Sequence, residues 1–446
     1  MKQNNTVQTS NEAFVLRHRE DDVRQLALKK MPEGVDALWC LQQIEGWQLA
    51  RRKLPRWAST EGLYYPPRIS LEQCSSEQTA CYKRMLVQRL LQEGGLAAES
   101  FIDLTGGFGI DFSYLASLFS RAVYVERQPH LCDIARHNFQ SLGLHHAEVV
   151  NEEVSCQCPV LSSGFSLIFL DPARRDDAGR KVVALEDCTP NVIEMQDVLR
   201  AHARFVLVKL SPMLDIRLAL RQLDGVVEVH VVSVQGECKE LLLVMEGGKA
   251  STGSPAYHCV DLPGRIPEAV LSGLSPEKES SVALGGSVFI VNPATSLASS
   301  GTGGAMPRLS PDDLLKVGKG CEEQEADDVT YLYEPNASVL KAGVQDALTT
   351  CFPVAKIQAQ SHLFVSREFL PVFPGRGFRI LSVGDFSKRS LKAQLQDVGK
   401  ANLTLRNFPS SVDMLRKQLK IKEGGEDYLF ATTWADGRHV LIRCRR

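Results

Sequence analysis

Apolar residues in the first hundred positions recur at helical spacing: Val23, Leu26, Ala27 and Met31, then Leu38, Leu41 and Ile44. The pattern predicts a mostly helical stretch over 11–98, interrupted by a turn-rich segment from Lys53-Leu54-Pro55-Arg56-Trp57 to Tyr65-Pro66-Pro67. A helix over about Ser76–Gln92 closes it, with Ser75 or Ser76 as cap. From Ser100 to Glu246 the texture changes. Seven apolar, often β-branched runs predict strands: Phe101–Leu104, Ala122–Glu126, Ala147–Asn151, Phe165–Asp171, Arg204–Lys209, Val226–Val234 and Glu240–Met245. Helix-period segments such as Asp111–Ser120, His130–Leu142 and Asn191–His202 lie between them. Alternation of this kind predicts an α/β, doubly wound, seven-stranded sheet, mainly parallel and covered on both faces. The last two runs have no helix between them, so they should be antiparallel.

Small-residue stretches at Gly247–Pro255 and Ser296–Gly304 read as loop or linker. Around them, and on to about Val372, the strands Ser287–Val291, Thr330–Tyr333 and Ala355–Gln358 mix with one helix near Ser338–Cys351, an α+β pattern. The final part mixes helices Lys388–Asp397 and Val412–Gln418 with the strand pair Tyr428–Trp434 and His439–Cys444. The expected division is a helical region at 1–74, an α/β domain at 75–247 and two small α+β domains at 248–372 and 373–446.

Composition narrows the class. The 446 residues are 44% hydrophobic and 23% charged, as in a soluble globular protein, and the net charge of −2 excludes a polycation that coats nucleic acid. Basic residues crowd locally after Phe373, among them Arg376, Arg379, Lys388, Arg389, Lys392, Lys417, Lys420 and Lys422. No apolar run reaches the length of a membrane span and the first residues lack a signal-peptide core, so a cytoplasmic location is expected. The twelve cysteines are scattered, with Cys156 and Cys158 the one close pair; reduced thiols and no metal centre are expected.

The chemistry centres on one βαβ unit. A strand ends in Asp103 and runs through Leu104, Thr105, Gly106, Gly107, Phe108 and Gly109 into a helix. Glycines there let the backbone approach a ligand above a helix N-terminus. The next strand ends in Glu126, and a carboxylate at that place can accept from both hydroxyls of a ribose. Asp103 directly ahead of the glycines would repel a pyrophosphate but attract an ammonium group.

These residues resemble the class I S-adenosylmethionine-dependent methyltransferases, a resemblance that covers about 75–246. It implies S-adenosylmethionine as cofactor, with Asp103, Thr105, Gly106, Gly107, Phe108 and Gly109 at its amino-acid end and Glu126 on its ribose. Glu153, with Glu152 close behind, matches the acid near the adenine. The run Leu71–Ala80 resembles the segment that covers the cofactor in trimethylguanosine-synthase-like and small rRNA methyltransferases, which implies contacts from Ser76, Gln78 and Thr79.

The fourth strand runs into Asp171-Pro172-Ala173-Arg174-Arg175, which resembles the Asp-Pro-Pro-x element of base methyltransferases with Ala173 in place of the second proline. Asp171 is thereby expected to touch both cofactor and substrate, and the two arginines would suit a phosphate. Lys83, Asp171, Lys209 and Glu240 fall in the order of the Lys-Asp-Lys-Glu set of ribose 2′-O-methyltransferases, where positive charge helps ionise a hydroxyl. Cys188 is weighed as a covalent nucleophile, but its setting fits an inert thiol better.

The whole chain resembles a bacterial family with a helical N-terminus, a methyltransferase core, a ferredoxin-like domain and a THUMP-like domain. The residues that carry this are Lys53–Trp57, Asp171–Arg175, Lys209–Met213, Glu237–Leu241 and Tyr333–Ala337. Elsewhere THUMP domains accompany RNA-modifying enzymes, so the resemblance implies RNA as partner, held by the basic C-terminal strip with Phe378, Phe386, Phe408, Tyr428 and Trp434 as stacking surfaces. The expected reaction is methyl transfer to an RNA base amine or ribose 2′-hydroxyl. The rival readings are a protein or small-molecule methyltransferase, a silent RNA-binding protein of the same fold and, more distantly, a dinucleotide oxidoreductase. Nothing in the sequence points to DNA or to a membrane, and it leaves the oligomeric state open.

Overall fold

The computed structural model describes residues 2–95, 97–162, 164–174, 185–248, 253–265, 286–292 and 330–446. The expectations placed on the side chains of Arg174 and Arg175, on residues 249–252 and on Ser296–Gly304 lie outside what is described. Among the described residues no helix is long and apolar enough to cross a membrane.

The chain divides into two units. The first comprises Met1–Gln235, Lys239–Pro255 and Leu262–Gly286, the second Gly236–Cys238, Ala256–Asp261 and Ser287–Arg446.

The first unit opens with helices α1 (Lys2–His18), α2 (Val23–Ala27), α3 (Ala37–Lys53), α4 (Pro55–Ser59), α5 (Arg68–Gln73) and α6 (Glu77–Glu93). Their starts follow from side chains that satisfy free backbone N–H groups. Asp22 accepts from Gln25, Asp36 from Trp39 and Ser76 from Thr79, while Pro55 opens α4 at a position that needs no donor. α6 buries residues almost all round, from Glu77 through Lys83 to Leu91, so it is an interior helix.

Strands β1 (Ser100–Asp103), β2 (Arg121–Glu126), β3 (Ala147–Asn151), β4 (Phe165–Leu170), β7 (Ala203–Leu210), β8 (Val226–Val234) and β9 (Glu237–Glu246) follow, with a small pair β5 (Ala173–Arg174) and β6 (Cys188–Thr189) between β4 and β7. Helices α7 (Ile110–Ala116), α8 (Pro129–Ser141), α9 (Val192–His202) and α10 (Ile216–Gln222) make the crossovers. These strands occur in the order β8-β9-β7-β4-β1-β2-β3 within a sheet of nine strands among the described residues, two more than the expected seven. β1 pairs parallel with β2 and β4, as do β2 with β3 and β4 with β7, whereas β9 is antiparallel to β7. The chain leaves β1 toward β2 on one side and returns to β4 on the other. That reversal opens a crevice at the carboxyl ends of β1 and β4, where open sheets of this type take ligands.

In the second unit β10 (Ala256–Leu262) pairs antiparallel with β11 (Ser287–Val291). A seven-stranded sheet runs in the order β13 (Ala355–Lys356), β14 (Phe364–Ser366), β12 (Tyr331–Pro335), β15 (Gly375–Asp385), β18 (His439–Arg445), β17 (Lys422–Thr433) and β16 (Lys400–Arg406). Helices Lys388–Leu395 and Val412–Leu419 cover it, with Leu391, Leu395, Leu415 and Leu419 against Leu403, Leu429 and Leu441. The helix expected near Ser338–Cys351 is interrupted. Gly343 adopts φ 71° and ends one helix at Ala342, and a short second helix starts only at Leu348.

Phe378 and Trp434 are core residues, and Tyr428, Phe386 and Phe408 pack half-buried against the two clusters of this sheet. Phe378 and Trp434 are thereby withdrawn from the expected stacking on bases, whereas Phe386, Phe408 and Tyr428 keep part of their surface exposed.

Candidate functional site

β1 delivers Asp103 to the crevice in a fully buried position, where its Oδ1 accepts the Thr105 backbone N–H at 2.9 Å. Burial pushes its carboxyl well above the usual carboxylate range, and the nearby acids Asp111, Asp171 and Glu126 add to the rise. The following turn needs its glycines. A Cβ at Gly106 would overlap the buried ring of Tyr124, and Gly107 and Gly109 have φ 55° and 83°. Gly109 then caps α7. Phe108 is buried edge-on against Trp57, ring centroids 4.9 Å apart, so the Lys53–Trp57 segment braces the loop from behind.

β2 brings Glu126 alongside. Its Oε2 accepts the Gly107 N–H at 2.9 Å and its Oε1 the Gln128 N–H at 2.8 Å, which fixes the carboxylate and leaves each oxygen a lone pair. Glu153 is exposed and lies 3.8 Å from Arg127, and Glu152 and Glu153 both line the cavity. Gln78 is placed elsewhere: its side-chain amide donates to the Gly264 carbonyl at 2.6 Å, while Ser76 caps α6 through Thr79. The wall on that side is instead built by Ser70, Gln73, Cys74 and Ser75. Lys53 pins it, donating to the Leu71 and Glu72 carbonyls at 2.9 and 2.8 Å.

The residues expected from the Lys-Asp-Lys-Glu pattern converge, though not as four equivalent groups. Lys209, at the end of β7, holds Asp171 Oδ2 at 2.5 Å. The Thr105 hydroxyl accepts from the Asp171 N–H at 2.6 Å, so the ends of β1 and β4 are tied together. Lys83 is fully buried and bonds both oxygens of Glu240, at 2.6 and 2.8 Å. Asp171, Lys209 and Glu240 line the cavity, whereas Lys83 stands behind its wall.

Between the two lysines sits Asp111, which was not among the expected site residues. It lies 3.2 Å from Lys83 and 3.5 Å from Lys209, and accepts from the Ser75 hydroxyl at 2.6 Å. In sequence it reads as an ordinary acid in the first turn of a helix. Burial works against the Lys209 ammonium, but Asp171, Asp111 and Glu240 outweigh it and hold its pKa above the ordinary value. Cys188 is buried on the cavity wall.

The cavity they enclose measures about 650 Å³, in the range that takes a nucleoside-sized ligand. It has a glycine turn that admits close backbone approach, a fixed carboxylate at the end of β2 and a lysine–aspartate pair at the ends of β4 and β7. These residues fit S-adenosylmethionine.

Comparison with known proteins agrees. A solved structure of a proposed methyltransferase from Porphyromonas gingivalis W83 is 30% identical, covers 98% of this chain and 97% of its own, and superposes with a TM-score of 0.76. Two uncharacterised S-adenosylmethionine-dependent methyltransferases, from two strains of Mycobacterium tuberculosis, are each 24% identical over 334 residues, 73% of this chain and 75% of theirs. Residues 331–374 match a ferredoxin-like domain family and 375–446 a THUMP domain-like family. The chain therefore belongs to the family of class I S-adenosylmethionine-dependent methyltransferases that carry a ferredoxin-like and a THUMP-like domain at the C-terminal end.

Proposed function

We propose that this methyltransferase acts on RNA, at a base amine or a ribose 2′-hydroxyl, with Asp171 and Lys209 facing the acceptor. The observation that carries the reading is the Asp171–Lys209 pair on the wall of the same cavity as the glycine loop. Bound S-adenosylmethionine supplies an electrophilic methyl group on a sulfonium. Asp103, Thr105, the three glycines, Phe108 and Glu126 hold it, and Glu153 is assigned to its adenine end.

The rest is positioning. Asp171 Oδ1 has no partner among the described residues, so it accepts the acceptor's N–H or O–H and orients a lone pair for in-line attack. Lys209 fixes the other oxygen of that carboxylate and sets positive charge beside a hydroxyl that must lose its proton. Lys83 and Glu240 form the buried support of the pair.

RNA is favoured by the C-terminal part. Lys388, Arg389, Lys392, Lys417, Lys420 and Lys422 are all exposed and carry no ion pair among the described residues. Backbone phosphates are the natural complement of such a surface. The THUMP domain-like match supports the same reading by the company such domains keep. Labelled methyl should pass from S-adenosylmethionine to total bacterial RNA and be lost when the RNA is first digested with ribonuclease. Label that survives digestion would move the substrate to protein or small molecules.

A further inference from the structure

We infer that Asp111 is a positioning residue for methyl transfer: by bridging Lys83 and Lys209 it holds the Lys209 ammonium, and through it the Asp171 carboxylate, at the acceptor end of the cavity. The inference rests on the reading of Asp171 and Lys209 as the acceptor-facing pair.

Five charged groups alternate in sign along one line of contacts. Glu240 holds Lys83 at 2.6 Å, and Lys83 lies 3.2 Å from Asp111 Oδ1. Asp111 Oδ2 lies 3.5 Å from Lys209, which holds Asp171 at 2.5 Å. The inner members are withdrawn from water, with Lys83 at 0%, Asp111 at 10% and Lys209 at 11% side-chain exposure, whereas Asp171 stands at 39%. At such depth charge–charge terms are weakly screened, so the sign of each neighbour decides where an ammonium rests.

Without Asp111, the two lysines would face each other across a gap. Lys83 would keep Glu240 on both of its oxygens, but Lys209 would keep only Asp171, the most exposed member, within ion-pair reach, with Glu240 farther off, and would follow Asp171 outward. The carboxylate of Asp111 is itself aimed: the Ser75 hydroxyl donates to Oδ2, and the group is the second residue of α7. The helix that begins at the glycine loop thus also fixes the acceptor-facing pair, so one rigid element sets the geometry of both halves of the site.

The groups that face Lys209 come from several elements. Asp111 comes from α7, Asp171 follows β4, and Glu240 lies on β9. Lys53 of α3 and Cys74 ahead of α6 are close enough to interact with it, and Lys83 of α6 shares Asp111. Lys53 opposes the ammonium of Lys209, and the carboxylates favour it. Removing one of three carboxylates should bring the Lys209 titration down, while leaving the rest in place.

The test uses the full-length protein and does not depend on knowing the substrate. Lys209 is acetylated with acetic anhydride across a pH series and read by peptide mass spectrometry, with exposed Lys388 and Lys417 as internal references. In Asp111→Asn the reactivity of Lys209 relative to these references should rise roughly tenfold at a fixed pH, the gain that follows from a titration brought down by about one pH unit, with Lys53 unchanged. Loosened packing would raise the reactivity of Lys53, which pins the same wall, along with Lys209, and that result, like an unchanged Lys209, overturns the inference.

Ser75→Ala keeps all the charges and removes only the hydroxyl that aims Asp111. It should raise Lys209 reactivity the same way by a smaller factor, and it carries the test if Asp111→Asn does not fold; no gain in it then overturns the inference. A selective gain at Lys209 in an enzyme that labels no RNA would leave Asp111 in its role and defeat the RNA reading instead.

Discussion

Asp103 is fully buried, and the proposed cofactor role asks it to carry charge there. Its folded-state pKa is raised, so folding takes up a proton, and stability is lost as pH rises from the ordinary carboxylate range through that raised value. Asp103→Asn removes the titration while keeping an acceptor for the Thr105 N–H. Its Tm should match or exceed that of the wild type at pH 8, with the margin shrinking toward pH 4, while cofactor affinity by calorimetry falls at least about tenfold, or 1.4 kcal/mol. A variant that binds as tightly as the wild type would remove Asp103 from the cofactor site. Lys83 poses the converse case. Lys83→Met leaves Glu240 buried without its cation and Asp111 with Lys209 alone, and should cost about 3–5 kcal/mol in denaturant unfolding. Adding Glu240→Leu should recover a large part of that loss, and a strictly additive double variant would contradict the pairing. At this scale the sequence announces the acids at strand ends, since their places follow from the alternation of strands and helices. Asp111 stays hidden in it because nothing local distinguishes a bridging carboxylate from a helix-dipole acid, and a capped helix start presents residues such as Gln78 whether or not it touches a ligand.

The elements that position the cofactor loop include one outside the α/β pattern. Trp57 is almost fully buried against Phe108, so truncation to Trp57→Ala should cost about 3–5 kcal/mol by thermal or chemical unfolding. It should also weaken cofactor binding, because Phe108 loses its backing. Equal loss of stability with unchanged affinity would limit Trp57 to packing. Most strands of the first unit are legible because each is a continuous apolar run buried on both faces. α10 and the strands Phe364–Ser366 and Lys400–Arg406 are harder to read. The first of these strands is only three residues long, and the second carries Asn402, Thr404 and Arg406 between apolar residues at the sheet's border. The break at Gly343 illustrates the same limit: helical periodicity continues through it, and only the left-handed backbone ends the helix.

Across the whole molecule charge is unevenly spread, for a chain of net −2 ends in a markedly basic segment. Part of that charge is consumed inside the fold: Arg376 and Arg406 hold buried Glu334, and Arg443 and Arg445 hold Asp427. The lysines of the covering helices are the part left for a partner. Reversing Lys388, Arg389 and Lys392 together to Glu should weaken RNA binding at least about tenfold and flatten its salt dependence, with cofactor affinity unchanged. Equal RNA binding by this variant would move the contact elsewhere. Composition made the basic strip visible, but the role of its aromatics was not readable, since a stacking ring and a core ring occupy the same alternate positions of a strand. The central claim, methyl transfer to RNA, is tested most directly with radiolabelled S-adenosylmethionine and total bacterial RNA, run beside protein and small-molecule fractions. Label in RNA, lost in Asp171→Ala and resolved by nucleoside analysis into base or ribose, is the predicted result. Cofactor binding with label confined to the protein or small-molecule fraction would contradict it.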